Sequence, residues 1–255
     1  MAKIKISKSK LDSLANKITL KAGSSGKKTL DELEELSKNL NSNTLKLLLD
    51  NKKNTNHLFA QRTETNLDSY ISYDDTSNVI DFTDMFWLCE NLIYLPSLDY
   101  SNGRRFDNIC LNCNSLKKVK INSKPSSSSS MYDNWSYAFK ECHYLEEIDI
   151  HYFNVNSGND VFYNCYSLKK LIIREFGNYK TLDSDGFKNN YHLTGAVNAK
   201  YNPNGLKDGY IYVPSAMVDT LKATDVWSTY ATQIRALEDY TVDGTTTGEL
   251  DESKI

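Results

Sequence analysis

Long apolar runs are missing from this chain of 255 residues. No stretch approaches the roughly 18 consecutive apolar residues that a membrane helix needs, which argues against membrane insertion. The opening text, MAKIKISKSKLDSLANKITL, is basic but never produces the apolar core of a signal peptide, so a protein made and folded in a cytoplasm is expected. Excess basic charge is missing too. Lys and Arg number 30 against 33 Asp and Glu, and a net charge of −3 gives no reason to expect nucleic acid. Histidine is scarce, and His57, His143, His151 and His192 are not spaced with a Ser, Cys or acidic partner in any catalytic pattern. Five cysteines cannot all pair with one another, which agrees with a reducing compartment. What remains is ordinary for a globular chain, 40% hydrophobic and 25% charged, and excludes global disorder.

Several short motifs fall away once their positions are read. Cys110 and Cys113 form a CxxC, yet no second CxxC or HxxxH completes a tetrahedral metal set. GSSGKKT, from Gly23 to Thr29, has Lys21 and Lys28 where a phosphate loop needs glycine and Ser or Thr, so it is a turn between helices. LDSDG, from Leu182 to Gly186, is a turn rather than a calcium loop, because the other ligands are missing. Asp74 and Asp75 lack a partner at a catalytic spacing. No cofactor, metal or catalytic residue is expected, and the chain does not read as an enzyme.

One line of text recurs. It reads FWLCENLIYL from Phe86, CLNCNSLKKVKI from Cys110, FKECHYLEEIDI from Phe139, FYNCYSLKKLII from Phe162 and FKNNYHLTGAV from Phe187. The anchors Cys89, Cys113, Cys142, Cys165 and Asn190 lie 24, 29, 23 and 25 residues apart, and the Ser-rich stretch from Lys124 to Ser130 accounts for the long interval. A period in the twenties implies units that bury their apolar faces on one another, and the less regular text from Asn56 to Phe82 reads as a degenerate first unit. The anchor then sits in an interior turn, where Cys or Asn can bond the neighbouring unit. All five cysteines become structural.

Period-2 alternation after the repeat Leu sets Val119, Ile121, Ile148, Ile150, Leu171 and Ile173 inward. Lys118, Lys120, Glu147, Asp149, Lys170 and Ile172 face outward and form the candidate binding face. Stacked in parallel, the outward row alternates Lys118, Glu147, Lys170, which disfavours a slipped register. Around the repeats, helices are expected over residues 8–21, from Thr29 to Leu40 and from Leu45 to Asp50. A strand at Tyr210 to Val213 ends at Pro214, Ser215 caps a helix, and Met217, Leu221, Trp227, Tyr230 and Ile234 close the end. From Thr241 the acidic text has little to bury and reads as a tail. Eight Lys within the first 28 residues against that acidic end either orient assembly or reflect two solvated termini, the second being preferred. The 17 Tyr and three Trp suit protein or sugar recognition, although many must fill the interior.

The copies, with DDTSNVIDFTDMFWLCENLIYLPSLDYSN from Asp74 to Asn102 and IYVPSAMVDTLK from Ile211, resemble the BspA-like class of leucine-rich repeats over residues 56–240. The text ISKSKLDSLANKITLKAGSSGKKTLDELEEL resembles the leader of tailed-phage structural proteins. The expected fold is therefore α+β, a leucine-rich-repeat β-solenoid with N-terminal helices and a C-terminal capping helix. Its parts are a helical docking segment, 1–55, the repeats with their cap, 56–240, and the tail, 241–255. The resemblance implies a non-enzymatic virion protein of the tail or baseplate, made in the host cytoplasm. Its expected partners are other virion proteins or a host-surface protein or glycan, within an oligomeric assembly. The alternative is a bacterial or mobile-element adhesion module, which would normally carry an export signal and wall anchor.

Overall fold

In the computed structural model, residues 54–71, 76–124, 134–154, 159–180 and 182–239 are described, with the strand pair at 241–242 and 245–246. The three expected N-terminal helices, the Asp74–Asp75 pair and most of the Ser-rich stretch lie outside these residues.

The strands are β1 (Lys118–Ile121), β2 (Glu147–Phe153), β3 (Lys170–Phe176), β4 (Tyr210–Val213) and β5 (Ile234–Ala236). All pair in parallel, in the order β1-β2-β3-β4-β5. The helices are short: α1 (Tyr191–Thr194), α2 (Ser215–Lys222) and α3 (Asp225–Ser228). This overturns the expected β-solenoid. The described residues form one open, five-stranded parallel sheet with few helices, rather than a regular strand in every coil. Two local causes are visible. The copy at Phe86 makes only a single bridge, Tyr94 to Lys118, because Pro96 follows and has no N–H for a ladder. The copy at Phe187 turns its Leu into α1, which Gly195 ends in the left-handed region at φ 76.

Beside the sheet, the turns stack. Two residues take positive φ in five units, His57, Asp84, Asn108, Tyr137 and Asp160 at one position and Gln61, Leu88, Asn112, Glu141 and Asn164 just before each anchor, and the last unit keeps only the second, at Asn189. This places Arg62 as the anchor of the irregular first unit. The alternation aims every second amide at the next unit, as in Phe82 to Arg105 O at 2.8 Å, Phe106 to Asn134 O at 2.9 Å and Phe139 to Val161 O at 3.0 Å. On the strand side the sense reverses: Lys117 N–H reaches back to Ile93 O and Tyr210 N–H to Lys169 O.

Each anchor thiol also donates backwards, Cys89 to Phe59 O, Cys113 to Phe86 O, Cys142 to Cys110 O and Cys165 to Phe139 O, at 2.9–3.1 Å. Asn190 does the same with its amide, to Phe162 O at 2.9 Å. All five thiols are free and fully buried. Between turns and sheet run aromatic stacks: Phe82, Phe106 and Trp135 at 5.5 and 4.3 Å, and Phe139, Phe162 and Phe187 at 5.9 and 5.0 Å. Ring burial of this kind adds a large apolar contribution to the fold.

At the far edge, Pro214 rather than Ser215 occupies the N-cap of α2, and Leu221, Trp227, Tyr230 and Ile234 are buried there. Ile234 belongs to a further strand, β5, that sequence periodicity did not show. Past it, Thr241–Val242 pairs antiparallel with Thr245–Thr246 as β6 and β7, where a plain tail was expected.

Candidate functional site

The outer face of the sheet carries the six sequence candidates. Register places Lys118 opposite Glu147 and Glu147 opposite Lys170, with Val119, Ile148 and Leu171 alongside facing the core. Extended at both ends, the first outward row reads Tyr94, Lys118, Glu147, Lys170, Tyr210. The second reads Lys120, Asp149, Ile172, Tyr212, Arg235.

Outward does not mean exposed. Glu147 is 5% exposed, held between Lys118 Nζ at 3.7 Å and Lys170 Nζ at 3.5 Å. Asp149, 1% exposed, lies beneath Arg174. Ile172 is wholly buried yet stands apart from the core cluster, as its place on the outer face requires. The Lys118 and Lys170 side chains flank Glu147 and the Arg174 guanidinium covers Asp149, while keeping their own charges near water. Lys118, Lys120, Lys170, Arg174 and Arg235 outnumber Glu147 and Asp149 five to two, so the face is positive on a chain whose net charge is −3.

A groove of about 600 Å³ runs along the β1 side of this face, lined by Tyr94, Lys118, Lys120, Asp149, His151 and Arg174 among others. It exists because the chain leaves the sheet after Tyr94 and returns at Tyr100, whose N–H binds Asn122 Oδ1 at 2.8 Å. The sequence candidates thus come together, and Tyr94, Arg174, Tyr210, Tyr212 and Arg235 join them. Tyr94 stands within the repeat text and Arg174 directly after it, and both could have been found by extending the alternation. Arg235 depends on the β5 pairing and left no signal.

The remaining sequence motifs are structural. Burial pushes the Cys89, Cys110, Cys142 and Cys165 thiols well above their ordinary range, the opposite of a reactive or metal-binding thiolate. In the 182–186 turn, Asp183 accepts the Asp160 N–H and Asp185 pairs with Lys188 at 3.0 Å. Among the described residues, no group of three His, Cys, Asp or Glu side chains is placed to hold a metal ion. The histidines lie apart: His143 stacks on Tyr166 at 4.6 Å, and His192 is buried between Asp208 and the Tyr201 carbonyl. A second aromatic surface, His143, Tyr166 and Tyr191, runs along successive turns, with its faces largely occupied by one another and by Tyr201. Among the described residues, no helix is long and apolar enough to cross a membrane. No protein-family model matches this chain, and comparison with curated proteins finds no similar one.

Proposed function

We propose that this chain is a non-enzymatic structural protein of a phage virion, associated with the tail or baseplate, whose repeat region serves assembly or host-surface binding. The observation that carries the binding half is the positive sheet face beside its groove, set on a scaffold of fixed hydrogen bonds. Preorganised side chains lose little entropy on contact with a partner. The assembly half rests on the likeness of the leader to phage structural proteins, and the repeat line's likeness to the BspA-like class is in keeping with adhesion and binding. The same face favours a second reading, an adhesion module of a bacterium or mobile element acting outside any particle.

A mass-spectrometric inventory of purified particles separates the two. Presence in particles, and its loss when residues 1–50 are deleted, is expected of a virion part docked through its leader. Absence from particles, with the isolated chain binding cells alone, sinks the virion reading in favour of the adhesin.

A further inference from the structure

We infer that the positive sheet face binds an acidic saccharide polymer, one whose sugars carry carboxylate or phosphate groups. This deepens the binding reading given above and rests on it. The row Tyr94, Lys118, Glu147, Lys170, Tyr210 places a tyrosine at each end of a cationic centre. Four strand spacings separate those ends, about 19 Å. The central carboxylate is 7% exposed and shared by two lysines, whereas the Lys118 and Lys170 side chains are 46% and 42% exposed. Asp149 is likewise closed off by Arg174. An approaching anion therefore meets cations, and the two carboxylates that could repel it are withdrawn behind them.

The tyrosines indicate rings rather than anions alone. Tyr94 is 57% exposed beside the groove, an open phenol on which the C–H face of a sugar can lie while its hydroxyls stay wet. At the other end, Arg235 sits over the Tyr210 ring at 4.9 Å, with Tyr212 at 6.2 Å. A groove of about 600 Å³ falls within the range of small-ligand sites. Strand addition by an acidic peptide is disfavoured at this edge. The Tyr94–Lys118 bridge closes one end of β1 and the Tyr100–Asn122 bond closes the other.

The test uses the full chain with four probes: polygalacturonate, a phosphomannan, a neutral galactan and poly-glutamate. Expected is binding to polygalacturonate or to the phosphomannan, the pair distinguishing carboxylate from phosphate, weakening as salt rises. Neutral galactan should bind far less. Tyr94→Ala should lower affinity about tenfold while leaving the melting temperature unchanged, given its exposure. Lys118→Ala should lower it with a reduced salt dependence. Binding to neither acidic polymer overturns the inference, as does polymer binding that both variants leave intact. Poly-glutamate binding of equal strength that ignores Tyr94→Ala also overturns it and assigns the face to an acidic protein. Each of these results leaves the particle inventory untouched, so failure here is distinct from failure of the virion reading.

Discussion

Asp149 on β2 receives both hydrogen bonds of the Arg174 fork from β3, Nε to Oδ1 at 2.9 Å and Nη2 to Oδ2 at 2.8 Å. The pair is asymmetric: the aspartate is 1% exposed and the arginine 22%. Removing the arginine therefore strands a buried carboxylate, whereas removing the aspartate leaves a cation that can turn to water. Arg174→Ala should cost on the order of 3 kcal/mol in urea unfolding, and Asp149→Ala clearly less. Equal losses would show that water reaches Asp149 freely.

Glu147 is the hinge of the outward charge row. Glu147→Lys would set three cations side by side and bury one of them, so a loss of roughly 2–4 kcal/mol is expected. Lys118→Glu in that background should recover part of it. A melting temperature unmoved by the single change would remove charge from the account of register.

Backbone strain offers a gain rather than a loss. Leu88 holds φ 59, a conformation costly for a residue with a bulky side chain, at the position where other units carry Asn112, Asn164 and Asn189. Leu88→Asn should raise stability by about 1 kcal/mol, read as a rise of about 2–4 °C in melting temperature. A fall would mean that the leucine's packing outweighs its strain.

Thiol chemistry should be silent in the folded state. With all five thiols buried, and the Sγ atoms of Cys89, Cys113, Cys142 and Cys165 each bonded to a neighbouring unit's carbonyl, maleimide should label no cysteine at about pH 8 until denaturant is added. Labelling in native buffer at any of the five would place that unit outside the stack. Cys142→Ala, which leaves the Cys110 carbonyl only the Cys113 N–H, should cost about 0.5–1.5 kcal/mol.

Acid sensitivity has a defined sign at Asp208. Burial alone would raise its carboxyl, but the hydrogen bond and charge of His192, helped by Lys169, hold it below the ordinary 3.8. Its contribution is therefore full above the unfolded value and is lost as pH falls through the folded one. Asp208→Asn should destabilise at about pH 5 and matter little at about pH 2.5, measured by urea midpoints. Asp84, Asp107 and Asp183, each raised chiefly by burial, work the other way and gain stability as pH falls. An Asp208→Asn penalty that grows towards acid would refute the assignment.

The register of β1 to β3 was legible because charge and apolar periodicity agree there residue by residue, from Lys118 opposite Glu147 to Ile150 opposite Ile173. The cysteines were legible for a similar reason, since one small donor recurs at one position. The overall architecture was not. A repeated Leu predicts a strand wherever it occurs, yet Pro96 and Gly195 decide otherwise in two copies. Nor could alternation tell outward from exposed, as Glu147, Asp149 and Ile172 show; for the two carboxylates, burial depends on how the neighbouring lysine and arginine side chains close over them. Arg62 escaped notice as an anchor because its unit is marked only by the backbone angles of His57 and Gln61.

The opposed senses of the two hydrogen-bond ladders give the stack a direction. Turn amides reach forward to the following unit, while anchor side chains and strand amides reach back to the preceding one. From the Phe59 unit to the Phe187 unit, each junction is thereby made by the same reciprocal exchange. A whole unit can be removed or copied with these junctions still complementary, whereas a cut inside a unit leaves ladder groups without their partners. Whole repeats are therefore the units in which both ladders can be extended, while the longer interval from Cys113 to Cys142 shows that residues can also be added between anchors.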